Sequence, residues 1–243
     1  MRRITYLILV AACTLAVAQP SAAASQDGSQ RPNPNQVLFP KESHPYGADM
    51  ATWGERAAQW IYAQPLEHNP LLDQTGADCG VDQQGPVWFI PPIAGPPVFS
   101  GTRSCSVPRH TAILLDIGHD TNTYPCPDPK FRPAPGQSLY DFLIQTDLPI
   151  MDSVNLLEVS LDGRPFEDVL SYRFISDDLF LITGDTSLVQ RVDPCITGSA
   201  QPAIVDGFFM MFKPLTTGQH TIRVHGTNTF GDDKTFTYHL RIA

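Results

Sequence analysis

The chain has 243 residues, 42% of them hydrophobic, with 16 basic and 25 acidic side chains and a formal charge of −9. This acidic balance excludes sequence-independent nucleic-acid binding and attachment to anionic membrane surfaces, because both need clustered Lys and Arg. The length suits one domain with an extension.

Met1-Arg-Arg, followed by an apolar run over residues 4–18, has the charged start and hydrophobic centre of an export signal. The run is short for a membrane span. Small residues precede two cleavage points, after Ala18 and after Ala24, and Pro20 crowds the first, so residues 1–24 are the expected signal peptide. The rival reading takes Val10-Ala-Ala-Cys13 as a lipobox with a lipid on Cys13. Apolar sequence continues past that cysteine to Ala18, which favours a soluble secreted or periplasmic protein with no transmembrane segment in the mature chain. Losing Arg2 and Arg3 takes the formal charge from −9 to −11.

Residues 25–45 are rich in Gln, Asn, Ser and Pro, a composition that buries too little surface to offset the entropy of ordering. A flexible arm is expected there, with residues 46–243 as a single domain. Over 48–64, Met50, Trp53, Ala57, Trp60 and Ile61 share one helical stripe, and Pro65 ends it. Asn69 to Ile90 then combines a turn signal, Asp73-Gln-Thr-Gly76, with Cys79 and a short apolar strand, and Cys105 follows. With Cys13 in the leader, the remaining Cys79, Cys105, Cys126 and Cys195 contain no C-x-x-C pair, so two disulfides are expected in an exported chain. Three pairings are possible. The short loop favours Cys79–Cys105 with Cys126–Cys195, and the other two stay open.

Residues 111–117 form a near-continuous apolar run, suited to a strand buried on both faces, with Asp116 as the exception. Five prolines surround Cys126 over residues 124–135, and residues 138–146 predict a short helix. From residue 155 the period becomes two: Leu157, Val159 and Leu161 alternate with polar residues, and Asp162-Gly163 signals a hairpin. Residues 206–212, 219–225 and 235–242 supply three more strands, the last two with Thr, Arg and His on a wet face. The expected fold is mainly β: an Ig-like or jelly-roll-like antiparallel β-sandwich with an N-terminal amphipathic helix and a second short helix.

Several of these features occur together: the Trp53 and Trp60 helix, Asn69-Pro70, Asp73-Gln-Thr-Gly76, Cys79, Gly85-Pro-Val-Trp-Phe89, Cys105-Ser-Val-Pro108, Leu161-Asp-Gly163, Gly218-Gln-His-Thr-Ile222 and Tyr238-His-Leu240. Spread over residues 46–242, they resemble a family of exported bacterial proteins of unassigned function. The resemblance implies export, a disulfide and a sandwich ending, and names no substrate. Arg109-His110 stands where that pattern has a Gly-Lys-type turn, and His119-Asp120 also departs from it.

No nucleophile elbow, H-E-x-x-H, P-loop or dinucleotide fingerprint is present. The candidate catalytic set is His110, Asp116, His119 and His220, with imidazole and carboxylate for acid–base work. His110, His119 and Asp120 are the candidate ligands for a divalent metal such as Zn²⁺, Mn²⁺ or Fe²⁺. His220 sits on the apolar side of its strand, where a hydrogen bond to a neighbouring loop carbonyl is the plainer role. His225, His239, Arg223 and Arg241 share a face able to attract an anion, and Glu158 is expected in solvent. Asp73, Thr75, Asp78 and Asp82 are dense in oxygen but lack EF-hand spacing, so Asp73 is expected to cap backbone N–H groups in a turn. Trp88 is expected beneath the N-terminal helix. The leading functional expectation is a non-catalytic secreted or envelope binding protein whose partner is a small molecule, a glycan or an envelope protein. The rival is a secreted hydrolase or lyase using the His/Asp set.

Overall fold

The computed structural model describes residues 34–243. The expected signal peptide, Cys13 and the start of the expected arm lie outside the described residues. Two helices, α1 (Met50–Ala63) and α2 (Leu139–Met151), accompany ten strands. These are β1 (Val87–Ile90), β2 (Val98–Val107), β3 (Ala112–Thr123), β4 (Val154–Leu161), β5 (Arg164–Pro165), β6 (Arg173–Ile175), β7 (Phe180–Ile182), β8 (Gln201–Phe212), β9 (Gly218–Asn228) and β10 (Asp233–Ile242).

The strands form two five-stranded sheets. The first runs β1-β3-β8-β6 with β7 also on β8, and the second runs β2-β10-β9-β4-β5. Most pairs are antiparallel, but each sheet contains one parallel pair, β1 with β3 and β2 with β10. The β2 strand was not among the expected elements, although Ser100, Thr102, Ser104 and Ser106 fall at the alternate positions of a strand. Its partner β10 lies at the far end of the chain.

The sheets pack face to face. Ile113, Leu115, Phe208 and Met210 of the first meet Val159, Ile222, Tyr238 and Leu240 of the second in one core. On the opposite face of the first sheet, Leu114, Phe209 and Met211 pack with Trp53, Ala57 and Ile61 of α1. Layers on both sides explain why β3 and β8 read as apolar runs rather than alternations. Each fully buried apolar side chain there contributes roughly 1.5–3 kcal/mol.

The first helix starts where Asp49 accepts a hydrogen bond from the Thr52 N–H at 2.8 Å. Gly54 lets it approach the sheet, since a Cβ there would stand 2.8 Å from the Phe209 ring. Beneath α1 lie Val87 and Phe89, with Phe89 5.6 Å from Trp60 between ring centroids. Trp88, expected under this helix, instead packs against the core between the sheets. Strand alternation allows one parity under α1, and Val87 and Phe89 take it.

The second helix covers the half of the first sheet that the second sheet leaves open, with Phe142 and Leu143 against Ile204. It begins at the Ser138 cap, whose hydroxyl accepts from the Asp141 N–H at 3.0 Å. It runs past the expected end at residue 146, through Pro149, because the Asp152 N–H reaches the Leu148 carbonyl at 2.8 Å and completes the last turn.

Cys79 is bonded to Cys105 and Cys126 to Cys195. Residues 34–45, within the expected arm, include Leu38, which is buried and bridged to Phe212.

Candidate functional site

Asp73 shows how the region around Cys79 is built. Its carboxylate accepts from the N–H groups of Thr75 at 2.8 Å, Gly76 at 3.0 Å and Asp78 at 3.0 Å. This is the expected capped turn. Behind it lies Arg103, 1% exposed, whose guanidinium donates to the carbonyls of Asp73 and Pro91. Burial lowers its pKa. Tyr238 also donates to the Pro91 carbonyl, at 3.0 Å. These donors and acceptors are spent on the backbone, so this region is scaffold.

The expected His/Asp set divides. His110 lies in an exposed turn at φ 65°, before β3 begins. It therefore precedes the strand that carries Asp116, and strand alternation does not bring the two onto one face. Asp116 and His119 do meet, with Nδ1 2.6 Å from Oδ2. A bulge between Asp116 and Gly118 produces the contact, since it resets the alternation and returns both side chains to one face.

The Asp116–His119 pair is sealed. Its side chains are 2% and 7% exposed, and the His119 ring stacks on Phe209 at 6.1 Å. Burial works against a charged ring, but the charge and hydrogen bond of Asp116 outweigh it and raise the His119 pKa above its ordinary value. Asp116 Oδ1 is buried without a hydrogen-bond partner. Gly207 faces His119 across the ladder, and a Cβ there would lie 2.4 Å from the His119 Cβ.

Asp120 points to a different assembly. It pairs with Asp206 in the β3–β8 register, under α2, where the fully buried Asp147 faces both carboxyls. Arg173 grips Asp206 with two hydrogen bonds, Nε to Oδ1 at 2.8 Å and Nη2 to Oδ2 at 2.5 Å, and reaches Asp152 at 2.5 Å. Asp147 has no hydrogen bond to either oxygen within ordinary reach. Burial first, then the nearby carboxyls of Asp120 and Asp206, raise its pKa to about 9. It therefore holds its proton at neutral pH. No group of three His, Cys, Asp or Glu among the described residues is arranged to hold a metal ion. His110, His119 and Asp120, the expected ligands, are not gathered into one.

His220 belongs to the second sheet, on the other side of the core. Its Nδ1 lies 2.7 Å from Asp162 Oδ2 and its Nε2 2.8 Å from the Thr216 carbonyl. Asp162 also accepts from the Thr221 N–H at 2.8 Å. The imidazole thus ties the Asp162-Gly163 hairpin to the β8–β9 connection. It borders a cleft of about 530 Å³ whose lining includes Leu161, Arg164, Phe166, Lys213 and Leu215.

No protein-family model and no curated protein matches the chain. Among solved structures, the solution structure of amebosin aligns over 61% of this chain and 100% of that one, at 12% identity and a TM-score of 0.19. A likeness that slight carries no argument about fold or function.

On the outer face of the second sheet, His225 stands between Glu158 at 3.2 Å and Asp233 at 3.0 Å. The Glu158 hydrogen bond leads the influences that raise its pKa. These carboxylates offset much of the cationic character expected of that face, and Glu158 is exposed as expected. Arg164, Lys213 and the Asp147 cluster were not among the expected site residues. Arg164 was readable as the residue closing the Asp-Gly hairpin. The cluster had no sequence signal, because its carboxyls come from three elements joined only by tertiary packing.

Proposed function

We propose that this chain is an exported protein that acts by holding a ligand, without turning it over. Its two disulfides fit an oxidising extracellular or periplasmic space. Among the described residues no helix is long and apolar enough to cross a membrane. The resemblance to a family of exported bacterial proteins, and the signal peptide expected over residues 1–24, support the same placement.

One observation carries the binding reading: the His/Asp set does not share a cleft. Asp116 and His119 are buried against each other, His110 is in a turn before the strand, and both His220 nitrogens are engaged with Asp162 and Thr216. A general base needs an open approach to the proton it takes. His119 borders a hollow of about 260 Å³ and His220 a separate cleft of about 530 Å³, and the latter has a volume in the range of small-molecule sites.

The reading is tested by thermal-shift screening of the mature protein against small molecules and soluble glycans, followed by mass spectrometry of each stabilising compound after incubation. A compound that raises the melting temperature and is recovered unchanged is the expected result. Recovery of a cleaved or eliminated product would overturn the reading.

A further inference from the structure

We infer that the cleft beside His220 takes an organic carboxylate carried on an apolar body, an inference that rests on the binding reading above. Three separate parts of the chain form its walls: the β4–β5 hairpin, the β8–β9 connection and Gln36–Val37 of the N-terminal segment. Leu161, Phe166 and Leu215 give the cleft apolar surface.

The charge around that surface is unequal. Arg164 and Lys213 are the lining cations, and both are exposed at the surface. The Arg164 side chain is exposed at the cleft, and among the described residues no hydrogen bond or ion pair engages its guanidinium, which carries five N–H donors. Lys213 gives one hydrogen to the Gln36 carbonyl at 2.9 Å and keeps two. The lining carboxylate, Asp162, is already occupied by His220 and the Thr221 N–H. The cleft therefore presents uncommitted positive charge beside apolar surface in a protein whose formal charge is −9.

Uncommitted donors of this kind recognise an anion. Arg is suited to a carboxylate because its planar fork makes two parallel hydrogen bonds. The adjoining Leu161, Phe166 and Leu215 reward an apolar body, which a bare inorganic anion lacks. His220 acts here as a positioning residue. Its bonds to Asp162 and Thr216 hold two walls of the cleft together and leave ligand contact to Arg164 and Lys213.

The test is isothermal titration of the mature protein with decanoate, 1-decanol and acetate, using wild type, Arg164→Ala, Lys213→Ala and Arg191→Ala. Arg191 is exposed and does not line the cleft. Decanoate should bind at one site per chain, with 1-decanol and acetate each at least about tenfold weaker, the loss expected when a charge-assisted hydrogen bond or the apolar contact is removed. Arg164→Ala and Lys213→Ala should each weaken decanoate by about tenfold, while Arg191→Ala leaves it unchanged. Circular dichroism and melting of each variant confirm folding.

Equal affinity for decanoate and 1-decanol would overturn the inference, as would equal weakening by all three variants. If decanoate does not bind, the inference fails while the binding reading stands on whatever other ligand the screen returns. Decanoate recovered chemically altered would instead defeat the binding reading.

Discussion

The Asp147 carboxyl, fully buried on α2, faces that of Asp120 on β3 across the seam that Arg173 closes through Asp206 and Asp152. The folded state holds the Asp147 proton up to about pH 9. The unfolded chain releases it near the ordinary value of 3.8. Between those values the folded state binds more protons, so stability falls as pH rises, by up to about 1.4 kcal/mol per pH unit from this group. Asp147→Asn keeps the shape and removes the titration. Urea unfolding at pH 5, 6.5 and 8 should show a shallower decline in the variant than in wild type. Parallel declines would show that Asp147 ionises freely in the fold.

The two disulfides close loops of different length, with sequence separations of 26 and 69. Cys79→Ala should lower stability by roughly 2–5 kcal/mol under oxidising conditions. In the loop-entropy account, Cys126→Ala should cost about 0.9 kcal/mol more. Denaturant unfolding of both variants provides the comparison. A loss below about 0.5 kcal/mol for Cys79→Ala would mean that the Asp73 turn and Arg103 hold the region without the bond.

Gly207 is where β8 passes beneath His119. A Cβ there would meet the His119 Cβ at 2.4 Å and the Phe209 ring at 2.9 Å. The first contact is with the root of a side chain, so β3 or β8 must shift. Gly207→Ala should cost about 1–3 kcal/mol, as overpacking generally does. It should also move the His119 ring resonances in NMR spectra. An unchanged melting temperature would mean that the ladder yields at the adjacent bulge.

His225 provides a surface counterpart. Its pKa is raised chiefly by the Glu158 hydrogen bond, with Asp233 adding to it. In Glu158→Gln the value should fall toward the ordinary 6.5, as followed by NMR titration of the ring protons. A raised pKa helps the fold at low pH, and that help is lost as pH rises through the folded value. The variant should therefore lose more stability at pH 5.5 than at pH 8. A His225 titration indistinguishable from wild type would assign the shift to Asp233.

Legibility in the sequence followed the range of the interaction. The α1 stripe of Met50, Trp53, Ala57, Trp60 and Ile61 gave the helix and its buried side, because helical period and burial are local in sequence. Asp162-Gly163 gave the hairpin, with both residues at positive φ as a tight reversal requires. Continuous apolar sequence in β3 predicted cover on both faces. It did not reveal the bulge after Asp116, and that one extra residue decides that His119 rather than His110 joins Asp116. The pairing of β2 with β10 and the Asp120, Asp147 and Asp206 cluster were unreadable for a related reason. Each depends on partners distant in sequence, and no local period encodes which strand lies beside which. The His220 bond to a loop carbonyl was legible as the plainer of its two roles, since a His on an apolar face near a strand end needs a nearby acceptor.

Asp116 and His119 are a buried pair, and under the binding function proposed above neither takes part in turnover. The most direct measurement is turnover by wild type, Asp116→Asn and His119→Ala on a panel of ester, phosphoester, glycoside and uronate-elimination substrates, with melting temperatures taken alongside. No rate above the protein-free background is expected for any of the three, with lower melting temperatures for both variants. Wild-type turnover that Asp116→Asn or His119→Ala abolishes, with the melting temperature unchanged, would contradict the binding function.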